Sequence, residues 1–400
     1  MDNNGRTKMK TSQFIEAHER ALSGAIRLLP SENMMSPEAK AAYCSDIEGR
    51  YHTKFYAGKS AILQLIDHVS DLAKQVFHAN HAFVTPISGN VCDLSALIGF
   101  TKAGDKVAIT SFLVGGYPFN IERFERKRVD IPWNKITFNI DLDATLERIR
   151  QDCPALVILG TSFIMHPIPG VREIANAVHE AGGILAYDGS HPLGLIAGGE
   201  FQDPLTEGVD LLFGSTHKSF FGPQGGIILT NDDAIRSRLE PVIGADPDAG
   251  VVLVDNPNPG RIAALGVALE EMFDHGPVYA QQVVANTRAL QETLASTSLG
   301  TCLAGPEAGL TDSHQVVAML KEEKDAIQIM QSLEACGIFC DAGIRFGTAE
   351  STRLGYTEAE MSQIGQWIGI VLDPSTGDEE LEQISNEVSR LAAEHVQVVL

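Results

Sequence analysis

The sequence predicts an α/β protein in which a mostly parallel central sheet is followed by a smaller C-terminal α+β domain. From about residue 61 to 230, apolar strand-like runs alternate with amphipathic helical segments. Repeats of this kind form right-handed crossovers, which place successive strands parallel. A loop rich in aspartate, asparagine and proline over 245–260 then precedes a long helical stretch. This loop indicates a boundary between the two parts.

The individual elements follow the periodicity of the apolar residues. An amphipathic helix is predicted over 11–27, and Pro37 is expected to begin a second, short helix. The predicted strands are 82–85, 106–110, 155–159, 184–188, 209–213, 227–229 and 315–320. The further predicted helices are 91–100, 171–181, 262–297, 324–336, 357–371 and 377–395.

The composition excludes several classes of protein. The chain has 52 acidic and 30 basic side chains and a formal net charge of -22, and such a polyanion repels nucleic acid and anionic lipid. The 6 cysteines include no CxxC pair, which argues against a disulfide framework and a zinc site, so no metal site is predicted. Neither a signal-peptide pattern nor a run near the ~20 apolar residues of a membrane span is found. A cytoplasmic location is expected.

The segment Gly214–Gly226 combines hydroxyl residues, a histidine, Lys218 and a glycine-rich turn. Apolar runs flank it at 209–213 and 227–229. A lysine held between two buried strands is poorly solvated, so its neutral, nucleophilic amine is favoured. The pattern therefore predicts a lysine that forms an imine with a carbonyl cofactor.

Two further motifs are typical of a site for an aromatic, phosphorylated cofactor. Asp188 ends an apolar strand, where α/β sheets have their ligand crevices, and its carboxylate could pair with a protonated pyridine nitrogen. Ser88, Gly89 and Asn90 precede a predicted helix, whose first N–H groups can bind a phosphate. Taken singly, each motif is more often a helix cap or a turn.

Together with Lys218, these motifs occur in the order found in the serine hydroxymethyltransferase family of pyridoxal-phosphate enzymes, which the chain resembles over nearly its whole length. The resemblance implies a fold-type I transferase with pyridoxal 5'-phosphate as cofactor. It also implies a helical arm and dimer-contact loop over 1–60, a large cofactor-binding domain over 61–260 and a small domain over 261–400. The matching segments are Leu28–Asn33, Ser88–Asn90, Tyr187–Leu195, Ser215–Gly226 and Gly343–Thr348.

The resemblance implies a role in cofactor binding for several residues. Lys218 would bind the cofactor covalently, and Asp188 would hold its ring nitrogen. His191 and Ser162 would approach the phenolic oxygen, and Tyr117 would stack on the ring. The expected phosphate ligands are Ser88, Gly89, Asn90, Ser215 and His217.

For the substrate, the resemblance implies residues from two subunits. Arg345 would bind the carboxylate of an amino acid with its two-pronged guanidinium, assisted by Ser31. Glu48 aligns with the family's catalytic carboxylate and Tyr56 with the second of two active-site tyrosines, while Tyr51 is a further candidate for substrate contact. In the family this segment comes from the neighbouring subunit, so an obligate homodimer is expected. The alternative for Glu48 is a solvated loop acid.

Four departures from the family's pattern bear on function. In the segment that follows the catalytic carboxylate, Arg50–His52 differs from the residues that the family has there, and Asp46 stands where a tyrosine is expected. Phe55 replaces a tyrosine that stacks on folate, and Gln224 replaces an arginine. The segment Cys336–Arg345 is too short for the loop that lines the folate pocket. The cofactor machinery is therefore expected to be intact and the folate pocket to be eroded.

The sequence accordingly predicts a folate-independent enzyme that cleaves or forms the Cα–Cβ bond of a β-hydroxy or related amino acid, and a role in secondary metabolism is expected. The expected reaction is aldol, retro-aldol or transaldol cleavage through an imine of the substrate, with an aldehyde as the second partner in the transaldol case. Three alternatives stay open. They are an ordinary tetrahydrofolate-dependent glycine hydroxymethyltransferase, an enzyme of another bond class (β-elimination, decarboxylative deamination or transamination), and a non-catalytic cofactor-binding protein. Sulfur abstraction with Cys340 as the nucleophile, suggested by its closeness to Arg345 in the sequence, is not favoured because buried cysteines are usually inert.

Overall fold

The computed structural model describes residues 10–53, 55–244, 250–297, 309–318 and 325–399. The strands are β1 (Ile26–Arg27), β2 (His81–Phe83), β3 (Lys106–Ile109), β4 (Lys127–Asp130), β5 (Trp133–Asn134), β6 (Asn139–Ile140), β7 (Leu156–Leu159), β8 (Ile184–Asp188), β9 (Leu211–Ser215), β10 (Gly226–Thr230), β11 (Gln315–Val317), β12 (Ile338–Phe339) and β13 (Arg345–Gly347). The helices are α1 (Thr11–Ser23), α2 (Pro37–Tyr43), α3 (Ser60–Phe77), α4 (Gly89–Phe100), α5 (Leu142–Asp152), α6 (Val171–Glu180), α7 (Leu193–Ala197), α8 (Asp233–Ile243), α9 (Pro259–Ala295), α10 (Ala326–Ala335), α11 (Ala349–Arg353), α12 (Glu358–Val371) and α13 (Asp378–Glu394).

Seven strands form the central sheet, in the order β2-β10-β9-β8-β7-β3-β4. The pairings from β9 through β8, β7 and β3 to β4 are all parallel, which confirms the predicted architecture. Strand β10 runs antiparallel to both β9 and β2. It is reversed because it follows β9 through the loop 216–225, which contains no crossover helix. This loop carries Lys218 at the carboxyl end of β9.

Helices cover both faces of the sheet, because successive strand residues point into opposite cores. On one face, Leu212 packs into a core with residues of α3, α6 and α9. On the other face, Phe213 packs with residues of α4 and α8. The neighbouring residues Val157 and Ile158 divide between the two cores in the same way. This packing holds the strand ends, and the loops that follow them, in place.

A third core joins the C-terminal part of the chain to residues near its start. Strand β1 pairs in parallel with β12, and Ile26 lies opposite Ile338. Both side chains are fully buried in this core. The single helix predicted over 11–27 is therefore wrong at its end, because α1 stops at Ser23 and the chain then extends to pair with β12.

Helix α9 contributes to two cores. Residues from Ile262 to Val284 pack beneath the central sheet, whereas Leu290 and Leu294 lie in the C-terminal core. The three-domain division, with its second limit at residue 260, remains a prediction, and α9 crosses the junction that this limit describes. Within the described ranges, no helix has the length and apolarity needed to cross a membrane.

Candidate active site

A cavity of about 230 Å³ lies at the carboxyl ends of β8 and β9, beside the N-terminus of α4. Open α/β sheets bind their ligands at this edge. The structure brings together here every residue that the resemblance assigns to the cofactor, and it adds Asp93, Thr161 and Ser190. The lining residues are Ser88, Gly89, Asn90, Asp93, Tyr117, Thr161, Ser162, Asp188, Ser190, His191, Ser215, His217 and Lys218.

Lys218 lies in the loop between β9 and β10, where several hydrogen bonds hold the backbone. Asn33 Nδ2 donates to the Lys218 carbonyl at 2.7 Å, and Thr216 Oγ1 donates to the Pro223 carbonyl at 2.6 Å. Burial lowers the pKa of Lys218, and Arg345 lowers it further, while the Asp188 carboxylate acts in the opposite direction. The amine therefore needs less free energy to lose its proton than a solvated lysine does, as an imine-forming nucleophile requires.

Two carboxyl groups line this cavity. Asp188 ends β8, and its Oδ1 accepts a hydrogen bond from the Ser190 N–H at 2.9 Å. Asp93, in α4, lines the same cavity and is 5% exposed. Burial, and then the Asp188 carboxylate, raise the pKa of Asp93 well above its usual value, so the neutral form of Asp93 is favoured. Asp93 was not predicted from the sequence, because a single acid in an apolar helix gives no sign of which groups lie next to it in the folded chain.

The start of α4 forms a cradle for an anion. Ser88 caps the helix, and its Oγ accepts a hydrogen bond from the Val91 N–H at 3.2 Å. A Cβ on Gly89 would lie 2.3 Å from Ser215 Oγ, so this close approach requires glycine. Burial lowers the pKa of His217 to about 4, and its buried Nδ1 has no hydrogen-bond partner within the described chain. A phosphate oxygen would supply that partner, so these residues fit a phosphate group.

Tyr117 lines the same cavity, in a loop that is hydrogen-bonded to the segment after β7. The Gly115 carbonyl accepts hydrogen bonds from Thr161 Oγ1 at 2.6 Å and from the Ser162 N–H at 2.7 Å. Tyr117 Oη donates to Asn90 Oδ1 at 3.3 Å and so connects this loop to the start of α4. The ring is partly exposed where it lines the cavity, and it is available to stack on a planar cofactor.

Arg345 begins β13, next to Ser162, but its guanidinium is already engaged. Its Nε donates to Asp341 Oδ2 at 2.8 Å, and its Nη2 lies 2.6 Å from the same oxygen. Its Nη1 donates to the Ser162 carbonyl at 2.8 Å, and the group lies 5.0 Å from the centroid of the Phe163 ring. A substrate carboxylate would therefore share this guanidinium with Asp341.

None of the predicted substrate residues lines the cavity of its own chain, namely Ser31, Glu48, Tyr51, Tyr56 and Arg345. Glu48 is exposed and lies against the start of α9, where a Cβ on Gly260 would be 2.8 Å from its Cα. Tyr51 and Tyr56 are 43% and 51% exposed, with ring centroids 5.2 Å apart. Their roles remain predictions, which for Glu48, Tyr51 and Tyr56 depend on a second subunit.

One buried histidine that the sequence analysis missed contacts the site. His314, just before β11, lies with its Nε2 3.3 Å from Nδ1 of the predicted cofactor residue His191. No motif marks His314 in the sequence, since it stands in a polar turn ahead of a short strand. Only the packing of the C-terminal core against the loop after β8 brings the two rings together.

Similar proteins are found over most of the chain. The family model for serine hydroxymethyltransferase matches residues 7–368. The serine hydroxymethyltransferase of Archaeoglobus fulgidus is 35% identical over 408 residues, covering 95% of this chain and 89% of that protein. The serine hydroxymethyltransferase of Methanobrevibacter smithii is 33% identical over 388 residues, covering 90% and 89% of the two chains.

A solved structure shows the same fold. The L-threonine transaldolase from Pseudomonas fluorescens, in its internal aldimine state, superposes with a TM-score of 0.86 and 24% sequence identity. The match covers 96% of this chain and 90% of that one. At this level of identity the likeness concerns the fold alone.

Proposed function

The chain belongs to the serine hydroxymethyltransferase family, and we propose that it catalyses a folate-independent aldol, retro-aldol or transaldol reaction at the Cα–Cβ bond of a β-hydroxy or related amino acid. Membership of the family makes the protein a fold-type I, pyridoxal-phosphate-dependent enzyme of the transferase and aldolase type. The bond that is broken, the independence from folate and the residue roles are the proposed part.

The observation that carries the proposal is the buried amine of Lys218 in a cavity that also holds Asp188 and the helix N-terminus at Ser88. When bound, pyridoxal phosphate supplies an electron sink for the bonds at the substrate Cα. The cavity offers one group suited to each part of that cofactor, namely an amine, a carboxylate and an anion cradle. No single motif in the sequence provides this combination.

The surrounding side chains would orient the substrate and move its protons. Lys218 Nζ would hold the cofactor until an amino acid replaces it, and Tyr117 would keep the ring in its plane. Arg345 would hold the substrate carboxylate and so turn the Cα–Cβ bond perpendicular to the ring, the orientation in which it breaks. Glu48 of a second subunit would accept the proton of the Cβ hydroxyl as the aldehyde leaves.

The short connection between β12 and β13 supports a reaction without folate. Only residues 340–344 join the two strands. Asp341 closes the turn, since its carbonyl accepts from the Ile344 N–H at 2.9 Å and its Oδ1 accepts from the Arg345 N–H at 3.2 Å. A turn of five residues leaves no room for the loop that lines the family's folate pocket, and this supports the proposed independence from folate.

A second cavity, of about 350 Å³, supports an aldehyde as the other substrate. It is close to Arg345, because the Phe163 ring that lines this cavity also packs against the guanidinium, 5.0 Å from the ring centroid. Aromatic and aliphatic side chains form most of its wall, which suits the apolar group of an aldehyde better than a charged one. Its side-chain lining includes Phe112, Leu113, Trp133, Lys135, Phe138 and Phe163.

The main alternative is the tetrahydrofolate-dependent transfer of a hydroxymethyl group between serine and glycine. It is favoured by the curated relatives, which are named serine hydroxymethyltransferases. The structural neighbour, in contrast, is named a threonine transaldolase. An enzyme of another bond class would use the same cofactor residues and stays a third candidate.

Sulfur abstraction by Cys340 is disfavoured by its surroundings. Burial, followed by the Asp341 and Glu334 carboxylates, raises the pKa of the Cys340 thiol to about 12. A thiol is nucleophilic as its thiolate, which is scarce at neutral pH when the pKa is so high. The non-catalytic alternative is disfavoured because Lys218 and Asp188 both line the cavity.

The reaction is tested by giving the purified protein glycine and then an aldehyde, without folate, and measuring β-hydroxy amino acid by chromatography. We expect product under these conditions, and we expect tetrahydrofolate to leave the rate of serine cleavage unchanged. Rapid serine cleavage that requires tetrahydrofolate would overturn the proposal in favour of the hydroxymethyltransferase. Elimination or transamination products from threonine or serine would favour another bond class.

Replacing Lys218 tests the cofactor link itself. Lys218→Ala is expected to lose the visible absorption of the covalently held cofactor and at least about 100-fold in activity, since both depend on the amine. The matched control is Lys106→Ala at the amino end of β3, where the lysine pairs with Asp152 at 2.8 Å outside the cavity. Absorption retained by Lys218→Ala, or lost equally in the control, would contradict the assignment.

A further inference from the structure

His191 and His314 form a buried pair at the edge of the cavity. They are 4% and 0% exposed, and their ring planes are inclined by 24° with centroids 5.5 Å apart. His191 Nδ1 lies 3.3 Å from His314 Nε2. Ser219 Oγ donates to the His191 carbonyl and holds its backbone. The two rings are therefore held in one relative position.

Hydrogen bonding determines which nitrogen of His314 carries a proton. Its Nε2 lies 3.2 Å from the Pro30 carbonyl oxygen, which can only accept. Nε2 must therefore be protonated, and Nδ1, 3.0 Å from Ser313 Oγ, accepts the proton of that hydroxyl. The single Nε2–H of His314 is then shared between the Pro30 carbonyl and the facing Nδ1 of His191. A protonated Nε2 cannot accept a hydrogen bond, so His191 Nδ1 has to be the acceptor and is unprotonated. The proton of neutral His191 is then on Nε2.

Burial, followed by the local charges, favours the neutral form of both rings. Burial lowers the pKa of His191 well below its usual value, and the nearby cations Lys218 and Arg345 lower it further, with smaller contributions from His314 and His217. Burial also lowers the pKa of His314 to about 3, although the Pro30 carbonyl acts in the opposite direction. A single tautomer of each ring therefore describes the site at neutral pH.

We propose that His314 is a positioning residue, which holds His191 in the tautomer whose Nε2–H donates into the cavity. The inference rests on the proposed cofactor site, where His191 approaches the phenolic oxygen. With Nδ1 engaged by His314, Nε2 is the nitrogen of His191 that is left for a ligand in the cavity that this residue lines. A hydrogen bond donated to a phenolate oxygen stabilises its negative charge.

This arrangement makes the tautomer depend on two distant segments. Pro30 belongs to the segment after β1, whereas His314 precedes β11 in the C-terminal part. Both segments must be docked for the Pro30 carbonyl to require a proton on His314 Nε2. The hydrogen bond that His191 would donate to the cofactor's phenolic oxygen therefore depends on the packing of the third core.

The tautomer is measured directly by NMR on protein with ¹⁵N-labelled histidine, freed of cofactor. His191 is assigned from its missing signals in His191→Asn. We expect wild-type His191 to show a protonated Nε2 and an unprotonated Nδ1. In His314→Leu, which removes the donor, we expect both tautomers to be populated. His314→Gln keeps an N–H donor near the position of Nε2 and is expected to retain the wild-type tautomer.

A second readout is the pH at which the visible absorption of the lysine-bound cofactor titrates. Losing a hydrogen bond to the phenolic oxygen destabilises the unprotonated form, so His314→Leu should raise this pH by about one unit. His314→Gln should restore it. The matched control is His166→Leu, which breaks the 3.0 Å contact of His166 with Asp312 in the same segment, and it should leave the titration unchanged.

The outcomes separate the two proposals. An unchanged His191 tautomer in His314→Leu, or an equal effect in His166→Leu, would overturn the role of His314 whatever reaction the enzyme catalyses. If the NMR result is as expected but the absorption does not shift, the contact between His191 and the phenolic oxygen is wrong. Thermal unfolding of every variant shows whether it is folded. If His314→Leu is not folded, the comparison of wild type with His314→Gln is used in its place.

Discussion

Single buried groups set the chemistry of the cavity. Burial lowers the pKa of Lys218 and of His191 and raises that of Asp93, so each is pushed towards its neutral form. Arg345, in contrast, is charged, and its guanidinium is paired with the Asp341 carboxylate and hydrogen-bonded to the Ser162 carbonyl. The pairing partner of this guanidinium is therefore the residue whose replacement is most informative about substrate binding.

Asp341→Asn is expected to tighten the binding of glycine. The asparagine keeps an oxygen that can accept from Arg345, but it removes the negative charge that competes with the substrate carboxylate. Since the pair is partly exposed, with side chains 12% and 22% accessible, we expect a gain of about 1 kcal/mol, or roughly fivefold in dissociation constant. A spectroscopic titration of the bound cofactor with glycine measures it.

The control is Arg345→Ala, which should weaken glycine binding because the guanidinium itself is lost. If Asp341→Asn also weakens binding, then Asp341 orients the guanidinium for the substrate and does not compete with it.

At the scale of elements, the site is formed where the N-terminus of α4 lies next to the carboxyl ends of β8 and β9. The N-terminus of α4 approaches the end of β9 so closely that Gly89 nearly touches Ser215. The start of β10 is tied to the same place, since the Gly226 N–H donates to the Pro86 carbonyl at 3.0 Å. The anion cradle therefore depends on how tightly the helix packs against the sheet.

Gly89→Ala is expected to open this cradle. Its Cβ would lie 2.3 Å from Ser215 Oγ, and relieving such a clash costs about 1–3 kcal/mol, so the dissociation constant of the cofactor should rise by roughly 5- to 150-fold. Cofactor titration of the apoprotein is the measurement.

The matched control in the same helix is Gly99→Ala, whose Cβ would make an ordinary contact at 3.5 Å with Leu239. It should leave cofactor binding unchanged and hold or slightly raise the melting temperature, because alanine is the better helix former. Equal effects of the two substitutions on cofactor binding would contradict the cradle.

At the scale of the whole molecule, one chain leaves the predicted substrate residues on its surface. Glu48, Tyr51 and Tyr56 lie outside the cavity of their own chain. Helix α1 has no buried residue, and its apolar side chains Phe14 and Ile15 are 59% and 54% exposed. These features support the proposed homodimer, in which a second chain covers the apolar surface and supplies Glu48.

Mixing two inactive variants tests whether the site is shared. Lys218→Ala and Glu48→Gln should each abolish most activity as homodimers. In a mixed population assembled at random, half of the dimers combine the two chains and each of these holds one intact site, so about a quarter of the wild-type activity should return. Activity after co-refolding is the measurement.

Lys218→Ala mixed with Asp188→Ala is the control and should recover nothing, because both residues line the same cavity of one chain. If the first mixture also stays inactive while dimers form, Glu48 does not reach the partner's site.

The sequence predicts most of the fold correctly because the apolar periodicity of long elements is strong. Strand β8 has the predicted limits 184–188, and the long helix α9 and the C-terminal helices lie within a few residues of their predicted positions. Among the individual elements, α3, α5, α8 and β4 were not predicted. One further error occurs where the pairing partners are distant in sequence. Strand β1 was absorbed into a predicted helix, because its partner β12 lies more than three hundred residues away.

In the candidate site, too, residues in local motifs were predicted and residues brought together only by folding were not. The residues that the motifs assign to the cofactor all line one cavity, since each motif stands at a strand end or a helix start that meets the same edge of the sheet. Asp93 and His314 were missed because nothing local distinguishes them. The ion pair between Asp341 and Arg345 was not predicted, because it depends on the geometry of the turn that joins β12 to β13.

The sequence by itself determined the family, the cofactor and the parallel sheet, because these depend on residue types at short spacings and on apolar periodicity. Tertiary structure decided which groups are neutral, which partner engages Arg345, and which nitrogen of His191 is inferred to carry the proton. These properties depend on burial and on distances of a few ångströms between segments far apart in the chain. Packing sets those distances, and the order of residues along the chain does not show them.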